Sequence, residues 1–149
     1  MPNPKSKASI AGHPIHPMIV PFPIAFFIGA LACDLAYLKT INLFWFVASE
    51  FLLGAGLVMA ALAALAGAID FSSESRIRTL GVAWFHAGGN ILVVLIEAYS
   101  LYMRYTSGPG VMDTGLVLSV VSVVLLLGTG WLGGEMVYRY GVAVADKTP

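Results

Sequence analysis

Charge is what this chain has least of. Among 149 residues, eight Lys and Arg and eight Asp and Glu make up 11%, against 58% hydrophobic, whereas a soluble domain carries about a quarter charged residues. So few charges cannot cover a water-facing surface, and apolar residues on every side of a segment are what a bilayer asks of a helix. The two signs balance, so no basic field points to nucleic acid. Cysteine is scarce as well: Cys33 alone rules out an intramolecular disulfide and any cysteine-rich zinc or iron–sulfur site. A Ser/His/Asp or Cys/His hydrolase signature, a phosphate loop and a dinucleotide fingerprint are all missing, which leans against an enzyme. No linker, low-complexity tract or repeat breaks the chain, so residues 1–149 read as one domain.

What the chain does have is apolar length. Runs at roughly 18–38, 43–69, 80–103 and 114–136 each approach or exceed the 20 or so residues that cross a hydrocarbon core. Turn and breaker residues fill 39–42, 70–78 and 105–110. Backbone groups in lipid must pair within the segment, and short connections make neighbours antiparallel. The expected fold is all-α: an integral membrane, up-down four-helix bundle with both termini on the same side. Lys5, Lys7, Arg76, Arg78, Arg139 and Lys147 gather on that side, leaving Lys39 and Arg104 opposite, so the positive-inside tendency makes it cytoplasmic. A signal-peptide reading of the first run, prompted by Lys5, Lys7 and the Ala30 to Cys33 stretch, is set aside. Prolines interrupt that run, the rest of the chain itself spans the membrane, and cleavage would discard two of three histidines.

Once the spans alternate in direction, the unusual residues converge on the cytoplasmic half: His13 and His16, Asp70, His86 with Asn90, and Trp131 to Glu135. Asp34, Glu50 and Glu97 fall on the opposite half. Four ordered motifs stand out: Gly12-His13-Pro14-Ile15-His16-Pro17 running on to Pro23, Asp70 after the second run, His86-x-x-x-Asn90 in the third, and Gly130 to Tyr138 followed by Gly141-Val142. In these the chain resembles the DUF2231 family of predicted bacterial membrane proteins over nearly its whole length. The resemblance implies a bacterial inner-membrane protein. Family relatives fused to Rieske or c-type haem domains imply a link to electron transfer and a redox partner protein. Tyr140 stands where relatives often carry a histidine, so any family ligand at that position is missing here.

Histidine inside a membrane bundle is costly unless it pairs or binds something. One reading is axial ligation of haem b by His16 and His86, with His13 and Asn90 beside them, since a four-helix bundle can hold a porphyrin between facing imidazoles. Gly88, Gly89, Gly128, Gly130, Gly133 and Gly134 leave room, and equally suit close helix packing. If the third helix starts near 80, His86 lies about 9 Å along it, so the proline-rich mouth of the first must dip inward for His16 to reach the same iron. A second reading sets His13, His16, His86 and Asp70 around zinc or copper. The third is a cofactor-free transport or scaffold subunit, alone or as a homo-oligomer, in which Asp34, Glu50 and Glu97 form a proton path. His16 itself reads as a helix cap or entry residue, with Pro17 at the first helical position. Asp70 reads as bonding amides of the turn that follows it.

Overall fold

A computed structural model describes residues 2–145, which leaves Lys147 outside the described residues. Four long helices dominate: α2 (Pro21–Thr40), α3 (Leu43–Ser73), α5 (Gly81–Ser107) and α6 (Met112–Tyr138), with short α1 (Ile15–Ile19) before the first and α4 (Ser75–Arg78) between the second and third. Three helical stretches, Ile15–Thr40, Leu43–Ser73 and Gly81–Tyr138, are long and apolar enough to cross a membrane. At 58 residues the last would measure about 87 Å if straight. A 3₁₀ turn at Gly108–Val111 divides it, and α5 packs against α6. The helices α5 and α6 overrun the sequence-derived spans at their ends, and that overrun carries Arg104 from the expected loop into α5.

The outward faces of the four long helices are apolar, so hydrophobicity does not mark the inside. Small and polar residues mark the inside instead. Buried and half-buried positions recur at alternating intervals of three and four: 46, 49, 53, 56, 60 and 63 on α3, 83, 86, 90, 93, 97, 100 and 104 on α5, and 112, 115, 119, 122, 126, 129 and 133 on α6. That is the seam of a left-handed helical bundle. In lipid it is lined by Ala, Gly and Ser because helices associate there through close backbone approach and hydrogen bonds. Phe27, Ala30, Leu53, Ala60, Val93 and Leu126 form the central apolar layer. Phe27 lies flat over Gly56, where a Cβ would stand 2.5 Å from its Cε1.

Ahead of α1 a two-residue hairpin, β1 (Ser9–Ile10) with β2 (His13–Pro14), turns through Ala11 and Gly12 at φ +50° and +81°. Two positive φ values in succession belong to a type I′ turn, which gives the glycine of the first motif its reason. His16 corrects its expected role: it lies inside the first turn of α1, and Pro14 occupies the cap position. First-turn amides have no intrahelical partner, so Pro17 removes a donor that the helix does not use. Val20 keeps helical angles between α1 and α2, while Pro21 and Pro23 open α2 without amides of their own. At the chain ends, Ala143 N–H donates to Pro4 O at 2.8 Å and Asn3 Nδ2 to Val144 O at 3.3 Å.

Candidate functional site: two histidines facing across the bundle

The position of His16 is built from far along the chain. Asp70, at the end of α3, accepts from the amides of Lys7 and Ala8 at 2.7 and 2.8 Å and from Ser6 Oγ at 2.8 and 3.0 Å. Its partners are therefore the N-terminal arm, not the turn that follows Asp70. Ala8 O in turn accepts from Ile15 N–H at 2.8 Å, and Ile15 precedes His16. The imidazole reaches inward, and its Nδ1 lies 2.7 Å from Ala63 O on α3. On the other side of the seam His86 Nδ1 lies 2.8 Å from Thr129 O on α6. A carbonyl only accepts, so in each ring Nδ1 carries the proton and Nε2 keeps its lone pair. The two rings stand 6.1 Å apart, centroid to centroid, and nearly perpendicular at 79°.

Small residues make this layer. A Cβ on Gly67 would stand 3.0 Å from His16 Nδ1, and one on Gly133 would stand 3.1 Å from His86 Cε1. Gly88, Gly128 and Gly130 face open space and give the histidines nothing. Asn90 donates to His86 O at 2.7 Å, and its Oδ1 accepts from Thr129 Oγ1 at 3.2 Å. Its Nδ2 passes 3.4 Å from His86 Nε2, at the outer limit of a hydrogen bond.

About 27 Å further along α5, at 1.5 Å per residue, lies a second polar layer. Arg104 and Asp34 are fully buried and paired through two parallel bonds, Nη1 to Oδ1 at 2.6 Å and Nη2 to Oδ2 at 2.8 Å. Ser49 and Ser119 donate to the same carboxylate at 2.5 and 2.7 Å, and Arg104 Nε donates to Ser100 at 3.2 Å. Gly115 leaves the guanidinium its space, since a Cβ there would come within 2.9 Å. Between the layers sits Glu97, also fully buried. Glu50 is half-buried on α3.

A model of the family described as a predicted membrane protein, DUF2231, matches residues 12–146. The chain belongs to the DUF2231 family. No curated protein and no solved structure gave a match. In this DUF2231 protein the motif residues are not scattered decorations: the Gly12 turn, Asp70 and His86 with Asn90 all serve the two-histidine layer. Tyr140 stands apart, with its ring 5.6 Å from the Arg139 guanidinium.

The residues present fit two-ligand coordination better than four. Two imidazoles bound on opposite sides of one metal through bonds of about 2.0–2.1 Å would place their centroids roughly 6 to 6.5 Å apart, and tetrahedral ligands about 5 Å; the observed 6.1 Å matches the former. His13 and Asp70 are not gathered with them. His13 is exposed in the hairpin, where Nδ1 lies 3.1 Å from Ala11 O, and Asp70 holds the arm. Among the described residues no group of three or more His, Cys, Asp or Glu is placed to hold a metal ion. Sequence reasoning missed Arg104 as the partner of Asp34. An apolar helix that carries an aspartate in its interior needs a cation opposite, and that requirement is the signal that points to it.

Proposed function

We propose that this protein is a small membrane cytochrome-like or redox-accessory protein that holds haem b between His16 and His86. In this reading four antiparallel spans cross the bacterial inner membrane and both termini face the cytoplasm. The observation that carries it is the pair of imidazoles 6.1 Å apart, each fixed through Nδ1 on a carbonyl of a neighbouring helix, with Nε2 left as the ligating nitrogen and only Asn90 Nδ2, at 3.4 Å, near that of His86. A hydrogen bond from Nδ1 to a carbonyl sets the tautomer and raises the basicity of the nitrogen that would ligate. When bound, the haem supplies one-electron chemistry at its iron. The chain's own part is to orient: Ala63 and Thr129 hold the rings, Asp70 holds the arm that delivers His16, and Gly67 and Gly133 leave the rings their space. The orientation rests on charge. With Arg104 buried against Asp34, Lys39 is the only cation left at the far end among those weighed from the sequence.

The test is an optical spectrum of the detergent-purified protein, oxidised and dithionite-reduced, with metal analysis of the same sample. A Soret band with sharp reduced α and β bands, lost in both His16→Ala and His86→Ala, is the expected result. Stoichiometric zinc or copper with no chromophore would replace haem by a transition-metal site. A clean apoprotein from haem- and metal-replete cells would defeat both and leave a cofactor-free transport or scaffold subunit.

A further inference from the structure

Glu97 is unlike every other acid among the described residues. It lies near the middle of α5, about 16 Å from His86 and about 10 Å from Arg104 along the axis. It is fully buried, and neither carboxylate oxygen has a hydrogen-bond partner. Ser122, which faces it from α6, is also fully buried, and its hydroxyl closes no bond of ordinary geometry. Orphaned polar atoms are rare in packed interiors, and an ionised carboxylate without a partner costs several kcal/mol even after relaxation. The charges nearby do not relieve it. Asp34 on α2 and Arg104 on α5 saturate one another, Cys33 sits beside Asp34 on α2, and Glu50 approaches from α3 as a third acid. From α6 only the hydroxyls of Ser119 and Ser122 reach this level, its nearest acid, Asp113, being exposed at the helix start.

We infer that Glu97 is a site of reversible proton binding inside the membrane. Its ligand is the proton itself: the carboxylate and one proton combine to a neutral acid, and no electron moves. A protonated Glu97 gains an O–H donor, and Ser122 is the acceptor waiting for it. A metal cation does not suit the place, because the unpartnered oxygens there, two on Glu97 and one on Ser122, fall short of the six or so that a hard cation takes. On the side of Glu97 toward Lys39 lie the bonded polar groups of Ser119, Asp34 and Ser49, with half-buried Glu50 on α3. The site is independent of whatever the histidines hold.

Infrared spectroscopy of the protein in lipid nanodiscs tests this directly. The wild-type protein shows a carbonyl stretch of a protonated carboxylic acid, above the carboxylate region, which shifts down in D2O and disappears in Glu97→Gln. Glu97→Asp moves the band without abolishing it, so the assignment survives a poorly folding Gln variant. Absence of the band, or its persistence in Glu97→Gln, overturns the assignment. A band that stays unexchanged in D2O while the protein remains folded overturns reversibility and leaves Glu97 a sealed structural acid.

Discussion

Breaking the buried ion pair from its two sides should give unequal results. Replacing Asp34 by Leu leaves a guanidinium with no exposure and only Ser49, Ser100 and Ser119 to face. Arginine cannot shed its proton in a protein, so the charge stays and the cost is that of an uncompensated buried ion, about 3–5 kcal/mol. Replacing Arg104 by Leu leaves a carboxylate that still accepts from Ser49 and Ser119 and can neutralise itself by taking a proton. Its cost is that of an imperfectly satisfied buried group, about 1–3 kcal/mol. The double variant removes both charges with apolar replacements and should return to within about 1 kcal/mol of wild type, since such swaps are often neutral. SDS titration of the detergent-solubilised proteins, followed by helical circular dichroism, measures all three. Equal single-variant losses, or a double variant as unstable as Asp34→Leu, would refute the reasoning.

Four further outcomes are expected. Gly56→Ala drives a methyl group into Phe27 and should cost about 1–3 kcal/mol by overpacking, while Gly128→Ala, which faces open space, should leave the melting curve unchanged. Asp70→Leu strands the Lys7 and Ala8 amides, about 1–3 kcal/mol, and should lower cofactor occupancy as much as Gly67→Val, although neither residue touches the ring's free nitrogen; absorbance per protein in the purified variants checks this. In the turn between α3 and α5, bonds from Arg76 hold the Glu74 carboxyl down at about 2, from 4.5. A folded value below the unfolded one means that its contribution is complete above pH 4.5 and fades as pH falls toward 2, so a carboxyl carbon NMR titration should show its midpoint near 2. In a Cys33→Ser background, cysteines at Lys5 and Arg139 should react with an impermeant maleimide only after the cells are opened, and one at Lys39 should react in intact cells.

Helix existence was legible because runs of apolar residues in lipid have few alternatives to α-helix. Helix ends were less so. Arg104 was read as a loop charge because hydropathy alone ends a span at the first cation, whereas the backbone continues to Ser107 once Asp34 neutralises it. His16 was read as a cap because the residue before a proline avoids helical angles; the continuous turn through α1 and Val20 overrode that preference. The convergence of His16 and His86 followed from antiparallel spans, but their common layer depended on Asp70 gripping an arm more than 60 residues earlier, which no local pattern encodes. The seam itself was readable in principle: Ser49, Gly56 and Ala63 on α3 stand seven residues apart, as do Gly115, Ser122 and Thr129 on α6 with Ser119 between, once small rather than large residues are taken as the inside.

Each histidine is anchored within its own half of the chain, His16 to Ala63 and His86 to Thr129. The chain thus consists of two helical hairpins, each of which arrives carrying one finished jaw with its imidazole already aimed. The facing pair therefore exists only where the two hairpins meet, and either half of the chain by itself carries a single anchored histidine.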